Sequence, residues 1–148
     1  MSYNAGVVPE QKGENIMISV IYGAKGSGKT KRIIDATNAA SERASGQVIF
    51  ITDNGDSLAV KAGVRFVNLA EYGIKSVDEF AGFLKGMLAT NFDIQHVFID
   101  GVSRLLDLPA DGLKPAFDAM EKVAGNVEFV VAVSADKLPK YLEKFASK

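Results

Sequence analysis

The chain has 148 residues, 47% hydrophobic and 24% charged, with a formal net charge of −1, which suits one domain with its own core and argues against a surface built to coat nucleic acid. It contains no cysteine, which excludes disulfides, a zinc ribbon, an iron–sulfur cluster and a cysteine nucleophile. No apolar run approaches the roughly 18 residues that span a bilayer, and residues 1–15 have no apolar signal-peptide core, so the expectation is a cytoplasmic protein without a membrane partner.

Residues 1–15 are polar and glycine-containing. They read as a flexible N-terminal extension, either a start-site extension or an appended segment, with the domain proper over 16–148. A first strand is expected over Ile16 to Tyr22, then a glycine-rich loop. A helix follows from about Lys29 to Ala44, with Ile33, Ile34, Thr37 and Ala40 on one face and Gly46 as its C-cap. Gln47 to Thr52 reads as a second strand, and Asp53-Asn54-Gly55-Asp56 as a turn. Arg65 to Leu69 is a short third strand. Ser76-Val77-Asp78-Glu79 has capping-box spacing and opens a helix. Its Phe80, Phe83, Leu84, Met87 and Leu88 fall on one amphipathic face, which is packing rather than a ligand surface. A fourth strand ends at Val97-Phe98-Ile99-Asp100, and a helix is expected from Asp111 to Ala124, ended by Gly125. Glu128 to Val133 is a fifth, nearly all-apolar strand, so buried on both faces. Asp136 is expected to cap a last helix reaching about Ala146, with Pro139 in its first turn. Strands alternating with helices predict an α/β three-layer sandwich with a five-stranded, mainly parallel sheet. Ligands of such sheets bind at the carboxyl ends of the strands.

The loop itself is Gly23-Ala24-Lys25-Gly26-Ser27-Gly28-Lys29-Thr30. It matches the phosphate-binding pattern G-x-x-x-x-G-K-[ST] at every fixed position, between a strand and a helix as that pattern requires. Glycines let backbone N–H groups wrap a polyphosphate, and the helix N-terminus adds unpaired donors and partial positive charge. Residues 23–30 with Lys31 are therefore the expected nucleotide cradle. Lys29 is expected on the β/γ-phosphates and Thr30 on Mg²⁺. Lys25 reads as a solvated loop charge, with contact to phosphate as the alternative. The bland reading is a glycine-rich turn that holds no ligand.

Asp100 ends an apolar strand, as expected of a Walker B aspartate that holds Mg²⁺ opposite the loop threonine. The alternative is a strand-end aspartate capping the next turn. Many P-loop ATPases carry a glutamate directly after this aspartate; here Gly101 stands there. Three stretches resemble the RecA-like P-loop ATPases: Gly23 to Thr30, Phe50 to Asp56, and the fifth strand with Val133-Ser134-Ala135-Asp136. The resemblance implies the P-loop NTPase fold, with the fifth strand between the other two motif strands. It also implies a polar residue near the γ-phosphate, which Ser134 fits, and a catalytic carboxylate at the end of the second strand. Asp53 and Asp56 flank that place, with Asn54 between them; the competing reading of Asp53 is turn formation. From Met17 onward the chain also resembles short clostridial P-loop proteins known as ATP-binding, sometimes labelled PilT-like, a resemblance that brings no established activity. Arg104 reads as solvated or structural, with an arginine-finger role as the alternative. His96, the only histidine, reads as structural, and Tyr72 as a core or turn residue.

The preferred expectation is a stand-alone protein that binds ATP or ADP with Mg²⁺ and hydrolyses slowly, or when stimulated by a protein partner or self-assembly. A non-hydrolysing nucleotide sensor and a small nucleoside-type kinase are the alternatives. Phosphate release without an acceptor, acceptor-dependent ADP production, or binding with neither distinguishes the three.

Overall fold

The computed structural model describes residues 17–55 and 57–146. The expected N-terminal extension and Asp56 lie outside them. Five strands form one sheet: β1 (Ile18–Gly23), β2 (Gln47–Thr52), β3 (Arg65–Asn68), β4 (Ile94–Ile99) and β5 (Glu128–Ser134). Their spatial order is β1-β5-β4-β2-β3, and every pairing is parallel. The helices are α1 (Lys29–Arg43), α2 (Val77–Thr90), α3 (Val102–Leu106) and α4 (Lys114–Val123).

Side chains alternate across the strands with period two, and that alternation makes the two halves of the core. Ile21, Val48, Phe50, Phe98 and Ala132 face one side, where Ile33 and Ala40 of α1 cover them. Val20, Ile49, Ile51, Val97, Ile99, Phe129 and Val131 face the other, under Phe80 and Leu84 of α2 and Phe117 and Met120 of α4. The result is three layers, helix on sheet on helix. Phe80 and Leu84 are fully buried, each contributing about 1.5–3 kcal/mol of hydrophobic stabilisation. Ser76 caps α2 by accepting the Glu79 N–H at 3.1 Å. Glu79 reaches back to the Lys75 N–H at 3.0 Å, one residue earlier than a standard capping box. That bond holds the Glu79 carboxyl below its ordinary pKa.

Three sequence expectations are corrected, and one helix is added. Gly46 does not end α1; Ala44, in extended conformation, does. Gly46 is glycine because the Asp93 carbonyl and the Gln95 side chain crowd the place of a Cβ. The helix expected from Asp111 to Ala124 begins later: Ala110–Gly112 is a 3-10 turn and α4 starts at Lys114. Gly125, at φ 55, does follow its end. Asp136 caps nothing. Pro139, at ψ 147, is still extended and lies outside the element that follows, a 3-10 helix over Lys140–Phe145. Finally α3, five residues opening directly after Gly101, was not foreseen.

Candidate functional site

The carboxyl ends of β1, β5, β4 and β2 lie side by side and set the site's residues in a row. Gly23 ends β1 opposite Ser134 of β5, and the Ala135 N–H donates to the Gly23 carbonyl at 3.0 Å. Ser134 is thereby placed beside the loop, exposed. The loop closes with a Ser27 N–H to Ala24 carbonyl bond of 3.0 Å. Gly26 (φ 82) and Gly28 (φ 92) are left-handed, which glycine adopts without strain. Gly28 is the N-cap of α1 and has no side chain to cap it with. The first intrahelical bond is from the Arg32 N–H to the Gly28 carbonyl at 3.1 Å, so the N–H groups of Lys29, Thr30 and Lys31 precede the helical ladder.

Lys29 is only 8% exposed, and its Nζ folds back to donate to the Ala24 carbonyl at 3.1 Å. Thr30 Oγ1 donates to Asp100 Oδ2 at 3.0 Å. Asp100 follows β4, is 7% exposed, and is anchored by its own N–H on the Ile51 carbonyl of β2 at 2.9 Å. Topology thus brings together Gly23, Lys29, Thr30, Asp100 and Ser134. Ala24, Lys25, Gly26, Ser27 and Gly28 form the exposed loop. Lys31 turns its side chain to Asp35 at 2.8 Å, a bond that raises its pKa, leaving its backbone N–H facing the loop end of the helix.

Asp53 follows β2 and lies one strand over from Asp100. Its carboxylate accepts two bonds from one guanidinium: Arg104 Nε to Oδ2 at 3.0 Å and Nη2 to Oδ1 at 2.9 Å. The Asp53 side chain is 12% exposed and the Arg104 side chain 49%. The Asp53 hydrogen bonds raise the Arg104 pKa, and the charges of Asp53 and Asp100 add to the effect. Gly101 has φ 89, and a Cβ there would overlap Asp53 Oδ1 and come 2.7 Å from Arg104 Nη2. The expectation of a solvated or structural Arg104 therefore becomes specific: it is the partner of Asp53. Gly101, noted in the sequence as a departure from the glutamate of many P-loop ATPases, is where the pair packs.

His96 is remote from the loop, with Nδ1 3.0 Å from Glu128 Oε1. Tyr72 ends the 3-10 turn Leu69–Tyr72 and is 71% exposed rather than packed in the core. Among the described residues no helix is long and apolar enough to cross a membrane. Nor do three His, Cys, Asp or Glu side chains gather there to hold a metal. No protein-family model matches the sequence, and no curated protein matches it.

Proposed function

We propose that the chain is a cytoplasmic ATP-binding protein of the P-loop class, with slow or partner-stimulated hydrolysis dependent on Mg²⁺. The observation that carries this reading is the 3.0 Å bond between Thr30 and Asp100 across 70 positions of sequence. It joins the hydroxyl and the carboxylate that the loop motif and the fourth strand separately nominate. Two further features support it. Strand β5 lies between β1 and β4, the arrangement implied by resemblance to RecA-like ATPases. The N–H groups at the start of α1 and the glycine loop offer an anion site without a carboxylate in the helix's first turn.

Lys29 exchanges its loop carbonyl for the β- and γ-phosphate oxygens and neutralises charge as it develops. Thr30 and Asp100 are hard oxygen donors that fit Mg²⁺, a cation that takes its remaining ligands from phosphate and water. They would hold that ion, which when bound supplies charge neutralisation across the phosphates. Ser134 offers a hydroxyl from β5 beside the loop. With little covalent chemistry for the protein to perform, catalysis is positioning plus electrostatics.

A second reading, a nucleotide sensor that does not hydrolyse, is favoured by Gly101 in place of glutamate. Calorimetry with Mg-ATP on folded Lys29→Ala tests the shared premise. The variant is expected to lose binding; undiminished affinity refutes nucleotide binding by this loop. Phosphate release by the wild-type protein then separates the ATPase from the sensor.

A further inference from the structure

We propose that Arg104 is a positioning residue for Asp53, the carboxylate after β2 that the RecA-like resemblance already nominates and that stands where position 101 carries no side chain. The inference rests on the ATPase reading above and concerns how the attacking water is oriented.

The geometry starts at Gly101. Its left-handed backbone excludes any ordinary side chain without strain. The volume a side chain would enter is already filled: the Asp53 carboxylate and the Arg104 guanidinium both lie within van der Waals overlap of a Cβ placed there. Asp53 thus occupies space that a residue-101 side chain would need. It arrives from the neighbouring strand because β2 pairs with β4 and the Asp100 N–H is bonded to the Ile51 carbonyl.

An aspartate at the mouth of a turn is a poor positioning device on its own. Asn54 and Gly55 follow it, exposed, and Gly55 is left-handed at φ 85. Arg104 changes this. A guanidinium fork bonded to both carboxylate oxygens fixes the plane of the carboxylate as well as its place. Arg104 is itself held one turn into α3, whose Leu105 N–H bonds the Gly101 carbonyl at 2.9 Å. Each Asp53 oxygen retains one lone pair, enough to accept a hydrogen from water. In the step this serves, the water oxygen bonds the γ-phosphorus. The bond from that phosphorus to the bridging oxygen breaks, and its electron pair stays on ADP. The water proton passes by way of Asp53 to the released phosphate. Arg104 touches none of the reacting atoms.

The test compares binding of Mg-ADP with binding of Mg-ADP plus aluminium fluoride, a mimic of the phosphoryl transition state, by calorimetry. Wild-type protein is expected to bind the mimic at least about 100-fold more tightly than Mg-ADP. Arg104→Ala and Asp53→Asn should each reduce that ratio by about 10- to 100-fold, the effect of a misplaced group, with Mg-ADP affinity unchanged. The double variant should lose no more than either single one. Arg104→Lys keeps the charge without the fork and should recover part of the ratio. An undiminished ratio in Arg104→Ala overturns the proposal, as does a wild-type protein that shows no preference for the mimic. Failure of wild-type protein to bind Mg-ADP at all instead overturns the nucleotide reading, and this proposal with it.

Discussion

Replacing Gly101 by alanine should destabilise the protein by about 2–3 kcal/mol. Two terms make up that figure. A left-handed backbone costs an L-residue about 1–2 kcal/mol, and Gly101 sits at φ 89. The added methyl would also lie 2.7 Å from Arg104 Nη2 and 2.8 Å from Asp53 Cγ, so the ion pair must open or α3 must retreat. Bonds between charged groups can contribute about 1.5–3 kcal/mol. The Arg104 side chain is 49% exposed, however, and solvent screening brings the loss down to about 1 kcal/mol. Urea unfolding measures the difference, and the melting temperature should fall by about 5–10 °C. Gly125→Ala is the control: its φ is 55, but no atom lies within 4 Å of the added methyl. It should lose the backbone term alone, about 1–2 kcal/mol. If the two alanines are equally harmful, the crowding of position 101 by Asp53 and Arg104 has no energetic weight.

Asp100→Asn keeps a hydrogen-bond acceptor for Thr30 but removes the charge; it should abolish the tightening of nucleotide binding by Mg²⁺ and spare metal-free binding, with calorimetry in EDTA and in Mg²⁺ as the check. Mg²⁺ tightening that survives in the variant removes Asp100 from the metal site. Burial pushes the Tyr141 phenol above its ordinary pKa, so the folded state favours the neutral form. That contribution is fully present below about pH 10 and is lost as pH rises from there through the folded value. Alkaline unfolding curves should therefore be flatter for Tyr141→Phe, which also gives up the bond to the Ala110 carbonyl, worth about 1 kcal/mol. An unchanged alkaline slope counts against this account.

Legibility of the sequence followed the length of each signal. Gln47 to Thr52 was read to the residue because an apolar run is bounded by Gly46 and Asp53. The five-residue α3 escaped because one turn cannot display a helical period. The last helix was overdrawn because Asp136 and Pro139 imitate an N-terminus; whether Pro139 stands inside or outside a helix depends on its ψ, which composition does not reveal. At the candidate site, the meeting of the loop with Asp100 is legible because a spaced motif and a strand end each announce themselves. The Asp53–Arg104 pair is not. Its members are 51 positions apart, and they meet only because β2 lies next to β4 in the sheet, an adjacency local patterns do not encode.

The distribution of charge around the loop gives a physical order to the site's residues. Lys29 is nearly buried with a backbone carbonyl as its hydrogen-bond acceptor. Its charge is therefore poorly compensated, and an entering polyphosphate replaces a weak neutral acceptor with strong anionic ones. Arg104 is in the opposite condition. Asp53 satisfies its charge with two short bonds, so drawing it toward phosphate would strand a carboxylate that is only 12% exposed. On the proposed reading the cation that meets the anion is thus Lys29, while Arg104 stays with Asp53. Asp100, held at its N–H by β2 and at its carboxylate by Thr30, is fixed from two sides before any ligand arrives. On the proposed reading, a site whose lysine and buried carboxylate are both placed in advance would lose little order on binding nucleotide. On the same reading the Arg104 fork places Asp53 in advance as well, so a stimulating partner would act on a step other than the positioning of these three side chains.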